Sequence, residues 1–202
     1  MVVPIHPFGK RGCQKKIVKE KALSADQTKN LNQILLKNKQ VLLDAWFEAV
    51  AGTYPLQTSS FMASQKDQFA NPVGTTITRE LDNIFQELLL DESSKELWQY
   101  LDALIRIRAV QGFYPSSAVS FVRNLKQIIR DRLHSEIESK GLHKELLIFE
   151  ERVDQLTLMA FDVYMRCREK IWELKAKEAQ NRTRNLLRKK ADVEWTPEGS
   201  SE

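Results

Sequence analysis

Cysteine is nearly absent from this chain: only Cys13 and Cys167 occur in 202 residues. They are far apart, with no Cys or His at zinc-ligand spacing, which excludes a disulfide framework and fits a reducing compartment. Cys167 falls on an apolar stripe, where a thiol behaves as a small hydrophobe. Glycine (7) and proline (6) are also scarce, so little interrupts a helix. No run approaches the roughly 20 consecutive apolar residues that a membrane span requires; the stretch from Leu97 to Val110 is broken by Gln99, Asp102, Arg106 and Arg108. Met1 to Glu20 has no apolar block of the kind a secretory signal carries. Together these absences predict a soluble, cytoplasmic, all-α protein.

Chemistry-bearing patterns are missing as well. The histidines are only His6, His134 and His143; the first sits in a Pro/Gly-containing segment, the second in a charged one, and the third just past Gly141. Surface or capping roles suit them better than haem or metal ligation. Neither G-x-S-x-G, nor a P-loop, nor H-E-x-x-H occurs. Asp44, Glu48, Asp82 and Glu87 lie at helical spacings, but the E-x-x-H partner of a di-metal bundle is lacking, and they read as solvated helix faces. The expectation is a non-enzyme with no cofactor and no metal.

Straight-chain helix formers dominate what remains: Leu, Ala, Gln, Glu, Lys and Arg lose little rotamer freedom in a helix. Residues 1–23 read as a flexible basic arm. From 24 to 174 the apolar spacing predicts a helical, sensor-like domain. Ser24 and Gln27 form a capping box ahead of a helix ending at Gly52 and Pro55. Residues 53–70 are an aromatic-rich connection, irregular or briefly helical. Asn71-Pro72 caps a second long helix, Ser93 and Glu96 open a third that closes at Gly112 and Pro115, and a fourth runs from about Ser116 to Lys140 before Gly141. From Leu142 no glycine or proline occurs until Pro197, which predicts a final helix long enough to project from the body as an arm.

That last helix carries Phe149, Val153, Leu156, Ala160, Val163, Cys167, Ile171 and Leu174 at spacings of 4-3-4-3-4-4-3, close to a coiled-coil seam. The residues from Val153 to Leu174 in this series are therefore the expected dimer or partner interface. Beyond Leu174 the stripe fails, and 175–202 read as a basic helical extension with a disordered acidic tail. Residues 166–190 hold ten Lys/Arg against three acids, 22–165 hold 15 against 19, and 191–202 hold four acids and no base. A basic arm of this kind fits a protein-docking handle; the alternative is nucleic acid, bound through phosphate neutralisation, although Glu169, Glu173 and Glu178 interrupt the row and no groove-reading motif is present.

Three stretches, Phe69-Ala70-Asn71-Pro72-Val73-Gly74, Ile105-Arg106-Ile107-Arg108-Ala109-Val110-Gln111 and Tyr114-Pro115-Ser116, resemble the RsbRD-type N-terminal domain across about residues 28–172. In that family the domain is the sensory module of RsbT co-antagonist proteins, regulators of bacterial general stress signalling, and usually precedes a STAS domain or a kinase. The resemblance implies a helical, globin-like sensor with a dimer interface, whose C-terminal helix transmits a state to an output. Nothing after residue 174 has the makings of a STAS domain or kinase, so the expected output is a separate protein partner, and none of the family's phosphorylated threonines is carried over. For the sensed ligand, Trp46, Tyr54, Phe61 and Phe69 are the expected lining of a small apolar pocket, with Arg106 or Arg108 available to an anionic group.

Overall fold

The computed structural model describes residues 30–65, 67, 69–90 and 96–194. The basic arm at 1–23, the Ser24–Gln27 box, the Ser93 half of the second box and the end of the acidic tail lie outside them. The described residues are helical with no strand, an all-α bundle with a long C-terminal helix. The order is α1 (residues 30–37), α2 (Lys39–Ala51), α3 (Leu56–Ser64), α4 (Pro72–Leu88), α5 (Glu96–Val110), α6 (Pro115–Ser139) and α7 (His143–Glu194).

The sequence predicts one helix up to Gly52, and the structure breaks it at Asn38. The Asn38 amide group donates to the Ile34 carbonyl, 2.9 Å away, sharing that acceptor with the backbone amide of Asn38 itself. Asn competes with the backbone in this way and is a weak helix former for that reason. The other boundaries follow the predicted chemistry. The Asn71 side chain accepts from Gly74 N at 2.9 Å to open α4, with Pro72 at its first position. Gly112 and Gly141, at φ 80° and 66°, close α5 and α6 in the left-handed conformation that L-residues avoid.

α7 packs along α5 and α6, α4 lies against α5, and α2 fills the space between α4 and α6, with α3 bridging α2 and α4. Trp46, Phe85, Leu101, Leu104, Phe121 and Leu125 form the centre of the core, and Phe149, Val153, Leu156, Ala160 and Val163 contribute the α7 side of it. An α7 of 52 residues is about 78 Å long at 1.5 Å per residue. From Leu174 to Lys189 every residue is exposed, so along this stretch α7 buries no side chain against the body. No described helix is long and apolar enough to cross a membrane.

This arrangement changes the meaning of the predicted seam. Val153, Leu156, Ala160 and Val163 are buried within the chain itself, against α5 and α6. Cys167 and Ile171 are half-buried at the edge of that contact, and Leu174 is exposed beyond it. A stripe near 3.5 residues per turn shows that a helix packs along its length, but it does not say whether the neighbour belongs to the same chain.

Candidate functional site

Arg106 and Arg108 stand two residues apart on α5 and therefore about 200° apart around its axis. Arg106 points outward and pairs with Asp102 at 2.5 Å; this bond and the Asp102 charge raise its pKa further. Arg108 continues the apolar face of Leu97, Leu101 and Leu104, and it is 0% exposed. Few features of the molecule are as costly, because a charge taken out of water costs several kcal/mol unless it is paired.

The surroundings of Arg108 follow from the end of α5. Gly112 turns the chain so that Phe113 N bonds Arg108 O and Gly112 N bonds Ala109 O, the two bonds of a Schellman motif. That motif folds the residue after the glycine back on the helix, usually for an apolar contact. Here Phe113 lands on the guanidinium, its ring centre 4.4 Å from Cζ. Tyr54 and Phe121 flank it at 5.6 and 5.7 Å, and Tyr54 meets Phe113 edge-on at 5.1 Å. Three ring faces offer partial compensation for a desolvated cation.

The polar contacts are fewer. Nη2 donates to Thr53 Oγ1 at 3.0 Å and to the Ser117 carbonyl at 2.9 Å. Nε and Nη1 have no hydrogen-bond partner, and neither does the Tyr54 hydroxyl. No carboxylate lies within ion-pair distance of Arg108 among the described residues. Burial lowers the Arg108 pKa, opposed by the charge interaction and a hydrogen-bond contribution from Tyr54, whose hydroxyl is close to the guanidinium without reaching good hydrogen-bond geometry. Burial also raises that of Tyr54, against the pull of Arg108, so the phenol stays a proton donor and supplies no negative charge.

This cluster is wired to α7. The Tyr164 hydroxyl donates to the Phe113 carbonyl at 2.6 Å, and Arg168 Nη1 donates to the Ala109 carbonyl at 3.3 Å. Both acceptors belong to the turn that holds Phe113 over Arg108. Cys167, between these two α7 residues, sits 3.8 Å from Asp102 Oδ1.

Of the six residues expected to line a ligand site, the structure brings together Tyr54 and Arg108, with Trp46 one shell away. Trp46 is buried and donates Nε1 to the Phe121 carbonyl at 2.7 Å. Phe61 and Phe69 are exposed, Phe69 by 95%, and Arg106 faces outward, so these three are not part of the cluster. Sequence reasoning missed Thr53, Phe113, Ser117 and Tyr164. Phe113 had a readable signal, since it follows the helix-ending Gly112; Tyr164 adjoins Val163 on the buried stripe.

A separate cleft of about 480 Å³ opens between α2, α3 and α4, lined by Asp44, Phe47, Asn71, Thr75, Thr78 and Asp82 among others. Its polar walls are engaged with one another: Asn71 bridges the Met62 and Gln65 carbonyls to Gly74 N, and Asp82 pairs with Lys39. None of the buried polar atoms without a partner belongs to it. Among the described residues no group of three or more His, Cys, Asp or Glu is placed to hold a metal ion.

A protein of Archaeoglobus fulgidus described as uncharacterized is 24% identical over 144 residues, covering 71% of this chain and 85% of that one. No solved structure matches. Residues 40–179 match the profile of the RsbT co-antagonist protein rsbRD N-terminal domain. That span runs from the start of α2 into the exposed half of α7 and includes the whole Arg108 cluster. The chain therefore belongs to the RsbT co-antagonist rsbRD N-terminal domain family, a family of non-catalytic sensor modules in signalling.

Proposed function

We propose that this module works in the cytoplasm by protein association through α7, and that the partner of its outer face is a second copy of the chain. The buried side of α7 is consumed by the body, but the opposite side carries an exposed apolar strip of Leu147, Leu158, Phe161, Met165 and Trp172. Several of these are separated by three, four or seven residues, the spacing of a helix–helix seam.

The observation that carries the choice of partner is the change of charge along this one helix. Exposed acids Glu151 and Asp162 flank the first half of the strip, beside Asp154, which pairs with Lys126, and exposed Lys175, Lys177, Arg182, Arg184, Arg188 and Lys189 outnumber Glu169, Glu173 and Glu178 in the second. Parallel pairing would set like against like; antiparallel pairing sets acid against base. A register that brings Phe161 opposite Trp172 also brings Glu151 opposite Arg182 and Leu147 opposite Leu186. Signal then passes as a change in the set of α7 against the body, through Tyr164 and Arg168.

The test is inter-chain cross-linking. With Cys13 and Cys167 replaced by serine, Glu151→Cys combined with Arg182→Cys is expected to give a covalent dimer on mild oxidation. Monomer alone, or an equal yield from Glu151→Cys without its counterpart, would contradict the antiparallel pair. The exposed basic half of α7 also supports a second reading, nucleic-acid binding, which predicts a gel shift at low salt that weakens as salt rises.

A further inference from the structure

We propose that the buried guanidinium of Arg108 is the binding site of a small monovalent anion, of halide to formate size. Arg108 is fully enclosed, yet Nε, Nη1 and the neighbouring Tyr54 hydroxyl make no hydrogen bond of good geometry, and the only group that eases the guanidinium from that side is the neutral Tyr54 hydroxyl itself. Of the five buried side-chain polar atoms without such a bond among the described residues, three lie in this single cluster. The two well-formed hydrogen bonds of Arg108 go to a hydroxyl and a carbonyl, and the Tyr54 oxygen beside it is a phenol, so every group it meets is neutral. An arginine keeps its proton inside a protein, so the cluster holds a positive charge with no negative one to match it.

The groups present fit an anion and little else. Nη1–H and the Tyr54 O–H are donors, and the ring faces of Phe113, Tyr54 and Phe121 prefer the cation side of the pair. A metal ion would be repelled. Bulky or doubly charged anions are excluded by an enclosure in which Tyr54 is itself buried and by the presence of only one cation. Because Phe113 covers Arg108 and is held at its carbonyl by Tyr164, neutralising Arg108 acts on the turn that α7 grips. The binding claim stands on the Arg108 cluster alone; the anion's role as signal rests on the reading of α7 as the output helix.

The experiment measures thermal unfolding and light-scattering mass at constant ionic strength, with sodium gluconate replaced stepwise by sodium chloride, nitrate or formate. The wild-type midpoint is expected to rise and saturate with the small anions. In Tyr54→Phe, which keeps the ring and the cation, saturation is expected to need a roughly ten-fold higher concentration, as for loss of one hydrogen bond to a charged partner. Arg108→Gln should lose the dependence. A wild-type midpoint equal in gluconate and in every small anion, or a rise of the same size and midpoint in the variants, would overturn the site. If Arg108→Gln does not fold, the Tyr54→Phe titration decides alone. An anion-dependent midpoint with an unchanged mass keeps the site and removes α7 self-association as its output, so the two failures are told apart.

Discussion

Cys167 shows how local environment sets what a single residue can do. Burial raises its pKa, and the nearby Asp102 carboxylate raises it further, while Arg106 lowers it. A raised thiol pKa means a smaller thiolate fraction at any given pH, and the thiolate is the reacting species. The expected outcome is that iodoacetamide labels Cys167 with an apparent pKa above the roughly 8.5 of an unperturbed thiol, read by mass spectrometry of the Cys167 peptide. Asp102→Asn should move that value downward; labelling at or below the ordinary thiol range would contradict the geometry. Reading Cys167 as a partly packed apolar residue needed only its place on the α7 stripe. The same spacing argument separates Arg108 from Arg106, because Leu101, Leu104 and Arg108 are three and four residues apart and so share a face, but the sequence reading left the two arginines as alternatives. What the spacing withheld was the partner set: Thr53 and Ser117 are 55 and nine residues away along the chain, and no local pattern joins them.

Helix termini were the most readable elements, since their chemistry is local. Gly112, Gly141 and Asn71-Pro72 each appear in the structure in the role their residue type suggests. Asn71 does more than cap. Its amide nitrogen also donates to the Met62 carbonyl at 3.0 Å and to the Gln65 carbonyl at 2.8 Å, tying the end of α3 to the start of α4. A β-carbon added at Gly74 would sit 2.7 Å from Asn71 Oδ1, so the absence of a side chain at 74 is a condition of the cap. Asn71→Ala is expected to cost about 2 kcal/mol, the upper end of the range for caps, because buried groups lose their partners as well. Urea unfolding measures this, and a loss below about 0.5 kcal/mol would mean that the loop between α3 and α4 is held by other contacts. The break at Asn38 was not legible: an asparagine in a helical run is common, and whether it takes the carbonyl four residues back depends on packing around it.

At the scale of the whole molecule, the chain is a body with one helix that outruns it. The length of that helix could be read from the absence of glycine and proline, and its basic end from composition. The stripe from Val153 to Val163 was read as a seam toward another chain, and it is the seam toward the body; a spacing pattern fixes a face and leaves the neighbour open. The partner-seeking side is accordingly assigned to the opposite face, where Leu158 and Trp172 are 70% and 60% exposed. The measurement that tests this division most directly reads stability and mass together for variants of the two faces. Leu156→Ala, on the body side, should lower unfolding free energy by 2–5 kcal/mol, roughly the range for large-to-small core changes, and leave the dimer mass unchanged under native conditions. Leu158→Glu combined with Trp172→Glu should keep stability within about 1 kcal/mol and halve the mass seen by light scattering. A monomeric wild-type protein, or a dimer that survives the outer-face pair and is lost with Leu156→Ala in a folded chain, would contradict the account.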